Sequence, residues 1–234
     1  MPRIHFQQQL AELKDKLLAM AALSQQAVES AVDAYLQHDQ GLCQYVRQNE
    51  TAINTAQREL DEMAYVLLSR EQPMAIDLRE IVSAMRVATD LERIGDLAKN
   101  IAKRVMVLDS DLNLAQVLRG VDHMTDLVLT QIKDVLDAYA HRDADKALAV
   151  WRGDEEVDAV NNSLFRELLT YMIEDPRNIS VCIHLLFCAK NIERIGDHAT
   201  NIAETVHYMV EGRALPDERP KGDFTSSTNV PFRS

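Results

Sequence analysis

Among the acidic residues that stand four positions apart along the chain, three pairs fall in its repeated segments: Glu92 with Asp96, Asp154 with Asp158, and Glu193 with Asp197. On a helix such residues are neighbours at about 5–6 Å between Cβ atoms, so each pair sets two like charges side by side and is mildly destabilising unless something neutralises it. Hard and borderline cations take oxygen ligands, and a dense carboxylate set gains most from binding one. If the helix of Asp154 and Asp158 lies beside that of Glu193 and Asp197, four carboxylates converge on one surface. The first half offers Glu50 opposite Glu92 and Asp96, with Asn54 where an acid would match Asp158, and should bind metal more weakly. The competing reading pairs Arg93 and Arg194, each three residues before the aspartate, with that aspartate on a solvated helix face.

Other chemistry is sparse. Glu204-x-x-His207 has the spacing used by carboxylate-bridged di-iron bundles, but its counterparts in the first half are Lys103 and Met106, and such a bundle needs the pair from two helices. His184 and His198 read as surface or satisfied core histidines. No Gly-rich phosphate loop, serine nucleophile motif or paired-cysteine metal site occurs, so no catalytic residue is assigned. Cys43, Cys182 and Cys188 lack metal-finger spacing and read as buried, reduced thiols. A net charge of −12 repels phosphate backbones and argues against a nucleic-acid partner. The most apolar segment, Val181 to Ala189, is broken by His184 and too short to span a bilayer, and no signal-like stretch precedes it. A cytoplasmic chain is expected.

The elements that must position these acids are helices. Only Pro73 lies between Pro2 and Pro176, and such proline-free stretches rich in Ala, Leu, Glu, Gln and Lys favour long helices. Breaks near Gln37–Gly41, Arg70–Pro73, Leu108–Asp111, His141–Asp143 and Glu174–Asn178 divide residues 5 to 211 into six segments. Leu91-Glu-Arg-Ile-Gly-Asp-Leu-Ala-Lys-Asn-Ile-Ala102 lies in register on Ile192-Glu-Arg-Ile-Gly-Asp-His-Ala-Thr-Asn-Ile-Ala203, so the halves are duplicated units. The spacing predicts an all-α fold of two tandem antiparallel three-helix bundles, residues 1–108 and 109–211, with a disordered tail over 212–234. Leu91, Ile94, Ala98, Ile101 and Val105, and likewise Ile192, Ile195, Ala199, Ile202 and Val206, form core stripes, with the acids on the other side of each helix. Gly95 and Gly196 sit mid-helix, where glycine costs about 1 kcal/mol relative to alanine, and predict close approach of a neighbouring helix or ligand.

The doubled Glu-Arg-Ile-Gly-Asp, followed by Asn-Ile-Ala at Asn100 and Asn201, resembles the PhoU family of phosphate-transport accessory proteins over nearly the whole chain. The resemblance implies two PhoU-like three-helix bundles with metal bound on their surfaces through Glu92 and Asp96, Glu193 and Asp197, and Asp154 and Asp158; Glu50 with Asn54 departs from that pattern. The ion would be a divalent or transition metal such as iron, zinc, manganese, magnesium or nickel. The implied role is a non-enzymatic adaptor between the ATPase subunit of a phosphate-import ABC transporter and a membrane sensor histidine kinase, keeping phosphate-starvation genes off when phosphate is plentiful. A homodimer and peripheral membrane association through partners are expected with it. A carboxylate-bridged metalloenzyme and a purely structural helical scaffold are the alternatives.

Overall fold

The computed structural model describes residues 2–37, 39–71, 73–105 and 115–215. Among these residues seven α-helices follow in order: α1 Pro2–Gln37, α2 Gln40–Glu71, α3 Ala75–Val105, α4 Ala115–His141, α5 Ala144–Arg152, α6 Asp154–Glu174 and α7 Ile179–Glu211. A 3-10 turn over Pro176–Asn178 joins α6 to α7, and no strand occurs among the described residues. The first bundle is α1, α2 and α3; the second is α4, the α5–α6 pair and α7. The expected break at Leu108–Asp111 and the tail from Pro216 onward lie outside the described residues.

Local chemistry sets the boundaries. Asp39 accepts from the backbone N–H groups of Gly41 and Leu42 at 2.7 and 3.3 Å and starts α2. Arg142, in the left-handed region at φ 56°, ends α4, and Asp143 then caps α5 by accepting from the Lys146 N–H at 2.9 Å. Asp175 accepts from the Arg177 N–H at 3.0 Å at the turn before α7, and Gly212 at φ 73° ends α7 in the conformation glycine tolerates best.

The six helical segments read from the sequence are present, but the fifth is divided. At Gly153 (φ −75°, ψ −2°) the helix breaks, and its carbonyl accepts from Gln131 Nε2 on α4 at 3.2 Å. Glycine weakens the helix at this point, while Asp154, Glu155 and Glu156 favour a new N-terminus by complementing its positive end. At the equivalent place in the first half, Asn49, α2 runs on unbroken.

Core packing follows the two stripes. Leu91, Ile94, Ala98 and Ile101 are at most 1% exposed, and Ile192, Ile195, Ala199, Ile202 and Val206 are fully buried. The side chain of Val105 lies outside the described residues. Gly95 and Gly196 admit neighbouring helices as expected: a Cβ at Gly95 would stand 2.8 Å from Ile53 Cδ1 on α2, and one at Gly196 would stand 3.3 Å from Gln131 Oε1 and 3.6 Å from Val157 Cγ1.

The bundles join mainly through α3 against α7, with α1 against α4 beside them. The α3–α7 seam is antiparallel. Along it Arg79 meets Gly212, Arg86 lies 5.9 Å from the Tyr208 ring centroid, Asp90 Oδ1 meets His198 Nδ1 at 2.8 Å, and Arg104 lies 4.1 Å over Phe187. Because α3 and α7 are the two helices that carry Glu-Arg-Ile-Gly-Asp, their packing aligns the acidic faces of both repeats with one central pair.

Candidate metal-binding seams

Each half carries its acids where the motif helix meets the preceding one: α3 with α2, and α7 with α6. In the first half Lys99 Nζ lies 2.6 Å from Glu50 Oε1 on α2 and 2.9 Å from Asp96 Oδ1 on its own helix. Asn54 Nδ2 donates to the same Glu50 oxygen at 2.7 Å, leaving Asn54 Oδ1 buried without a hydrogen-bond partner. Burial works against the Lys99 ammonium, yet the hydrogen bonds to Glu50 and Asp96 outweigh it and hold the group above its ordinary pKa. Glu92, on the same face, is pushed up by burial first and then by Asp96. Asp96 pairs with Lys99 rather than with Arg93, whose Nε instead stands 3.5 Å from Glu92.

In the second half the acids lie deeper. Asp154, Asp158 and Glu193 are 3, 4 and 6% exposed, so these members of the predicted outer face are enclosed by the α6–α7 contact. Thr200 Oγ1 donates to Asp154 Oδ1 at 3.3 Å. Asp154 is the first residue of α6, so the break at Gly153 turns a helix N-terminus, which favours negative charge, toward this buried acid. Lys190 Nζ lies 2.9 Å from Glu193 Oε1, whereas Glu193 Oε2 is buried with no hydrogen-bond partner. Glu193 is raised above its ordinary pKa chiefly by burial, with Asp197 and Asp158 adding to the shift and Lys190 opposing it.

Among the described residues no three His, Cys, Asp or Glu side chains are gathered so as to hold a metal ion. An ammonium lies against the acids in each half instead. By donor type alone the second half matches a hard or borderline cation: its seam acids are all carboxylates, and one buried oxygen of Glu193 has no hydrogen-bond partner. The first half suits one less well, because Asn54 replaces a carboxylate and Lys99 stands between Glu50 and Asp96.

The lysines are what the sequence reading passed over. Their signal is the three-residue spacing of Asp96 with Lys99 and of Lys190 with Glu193. The Glu204-x-x-His207 pair does not gather with the acids. Glu204 Oε1 accepts from the Trp151 indole N–H at 3.0 Å, and His207 Nδ1 is buried without a partner. All three cysteines are free thiols and buried; burial pushes Cys188 up to about 12 and raises Cys43 and Cys182 as well.

Known proteins share this fold. The family model for the PhoU domain matches residues 17–105 and 121–206, one match in each bundle. A phosphate-specific transport system accessory protein PhoU homolog from Rhizobium meliloti (strain 1021) is 50% identical over 222 residues, 95% of this chain and 94% of its own. The corresponding homolog of Caulobacter vibrioides (strain NA1000 / CB15N) is 44% identical over 94% of this chain and 95% of its own. The crystal structure of PhoU from Pseudomonas aeruginosa superposes with a TM-score of 0.83 at 41% identity, covering 89% of this chain and 100% of that one. The phosphate transport system regulatory protein PhoU of Streptococcus pneumoniae gives the same TM-score at 27% identity, over 90% and 99% of the two chains. With one domain match in each repeat, and 50% identity to a relative of similar length, the chain belongs to the PhoU family.

Proposed function

We propose that this chain is a cytoplasmic, non-enzymatic accessory protein of phosphate-specific transport. It links the ATPase subunit of a phosphate ABC transporter to a sensor histidine kinase and keeps phosphate-starvation genes off when phosphate is plentiful. The observation that carries this reading is the 50% identity to a transport accessory protein across 95% of the chain. Among the described residues no helix is long and apolar enough to cross a membrane; in this reading the chain reaches the membrane through its partners.

The surface suits contact with other proteins. Tyr65, Met74, Ile76 and Leu78 are exposed around the α2–α3 turn, and Ile173, Ile179, Ile183 and Phe187 around the α6–α7 turn. The antiparallel α3–α7 seam sets these turns at opposite ends of the central pair. Two such ends on one rigid helical body fit an adaptor that holds two partners, and a homodimer uses the same kind of surface.

In this reading a divalent cation binds the second-half seam through Asp154, Asp158, Glu193 and Asp197. Bound there, it neutralises the acids and ties α6 to α7. Deleting the gene should raise phosphate-starvation reporter expression in phosphate-rich medium, and pull-down with the purified chain should recover the transporter ATPase. Unchanged reporter expression in the deletion strain sinks the regulatory role.

A further inference from the structure

The two repeats solve the same electrostatic problem with lysines taken from different positions. When the motif helices are laid on one another, Lys99 falls on Thr200 and Lys190 falls on Thr89. Lys99 follows its aspartate by three residues, and Lys190 precedes its glutamate by three. Both ammonium groups reach a seam carboxylate, at 2.6 and 2.9 Å for Lys99 and at 2.9 Å for Lys190. A lysine stem of four carbons lets the charge arrive from either side of the same helical face.

The settings differ in two ways that bear on exchange with a metal. The Lys99 side chain is 22% exposed and bridges α2 to α3 beside Asn54, whereas the Lys190 side chain is 45% exposed. Lys190 therefore has a path to solvent. Beside it Glu193, 6% exposed, keeps Oε2 buried and without a hydrogen-bond partner, an acceptor that the ammonium does not satisfy.

We propose that Lys99 and Lys190 are internal counter-ions that compete with metal: a divalent cation enters the second repeat by displacing Lys190, and Lys99 keeps the first repeat closed. This rests on the cation reading of the seam given above and adds the residues that govern its occupancy. One divalent cation per chain follows. The lysine head released from the seam moves into solvent, so cation binding also changes the chemistry of the outer surface at the N-terminal half of α7.

The test uses the full chain, stripped with chelator and dialysed, with Mn2+ as the probe. Stoichiometry and affinity come from calorimetry and from metal retained after desalting, with circular dichroism confirming the fold of each variant. Lys190→Thr and Lys99→Thr each import the residue of the other repeat, and Lys190→Met keeps the apolar stem. The wild type should bind one Mn2+. Lys190→Thr and Lys190→Met should bind one about tenfold more tightly, and Lys99→Thr with Asn54→Asp should bind two. Amine labelling read by mass spectrometry gives a readout independent of mutation: Mn2+ should raise modification of Lys190 several-fold and leave Lys99 protected. Affinity unchanged in both Lys190 variants, labelling of Lys190 unchanged by Mn2+, or two ions bound by the wild type would each overturn the proposal while leaving the cation reading in place. If neither the wild type nor the Lys190 variants bind Mn2+, the cation reading fails and the proposal falls with it.

Discussion

Replacing Glu193 by Gln should stabilise the cation-free protein. Glu193 is 6% exposed, with one oxygen against Lys190 and the other buried without a donor. Its folded pKa is raised, by burial above all. Between the unfolded value of 4.5 and that raised value, the native protein holds a proton that the unfolded chain has released. Stability therefore falls as pH rises through this window, and the penalty is complete above it. At neutral pH, Gln removes a buried charged oxygen without a partner, worth about 1–3 kcal/mol, and two like-charge contacts with Asp158 and Asp197, at about 0.2–0.5 kcal/mol each. It gives up an ion pair with a half-exposed lysine, worth about 0.2–1 kcal/mol. The net gain is about 2 kcal/mol, or about 4–8 °C in melting temperature for a chain of this size. Thermal unfolding followed by circular dichroism in chelator at pH 7.5 should show that rise, and at pH 4.5 the gain should shrink as wild-type Glu193 takes up its proton. With Mn2+ the order should reverse, because the wild type keeps the full carboxylate set. A lower melting temperature for Glu193→Gln in chelator, or a gain that does not change with pH, refutes the reasoning.

Gly95→Val should destabilise the first bundle by about 1–3 kcal/mol, read from urea unfolding, because a Cβ there already meets fully buried Ile53 at 2.8 Å. Trp151→Phe should cost about 1–2 kcal/mol by losing the indole hydrogen bond to Glu204; Trp151 is the single tryptophan, so the comparison needs circular dichroism rather than fluorescence. In the wild type that same tryptophan lies three residues before Asp154, so Mn2+ binding should quench its emission, and Asp154→Asn should weaken the response. Ellman's reagent should react with Cys43, Cys182 and Cys188 over hours in native buffer and within minutes in guanidinium, since all three thiols are buried.

The fold was legible because its signals are long and periodic. Apolar spacing of three and four over the motif helices marked the core stripes, and every stripe position with a described side chain is buried. Breaks at Asp39, Asp143 and Asp175 could be read because a side-chain cap is a local event. The division at Gly153 was harder to read: glycine and the acids after it favour a break, but the Gly153 carbonyl is also held by Gln131, 22 residues earlier on another helix. The burial of Glu193, Asp154 and Asp158 was missed for a related reason. Helix phase separates the acids from the core stripe of their own helix, but only the approach of α6 to α7 encloses them.

The lysines show where reading residue by residue along a repeat misleads. Superposing Glu-Arg-Ile-Gly-Asp on its copy draws attention to identities, and Lys99 over Thr200 and Lys190 over Thr89 register as mismatches. In three dimensions they are equivalents, because each long side chain brings its charge to the same acidic seam. What duplication preserves here is the position of a charge rather than the position of a residue. Exchanging the pair, with Lys99→Thr and Thr89→Lys in one chain, should therefore keep the first bundle's stability within about 1 kcal/mol of wild type, whereas Lys99→Thr alone should lower it by more. Urea midpoints for the two variants decide the matter: if the exchange is as damaging as the single substitution, the seam needs its ammonium from one particular residue and the equivalence is wrong.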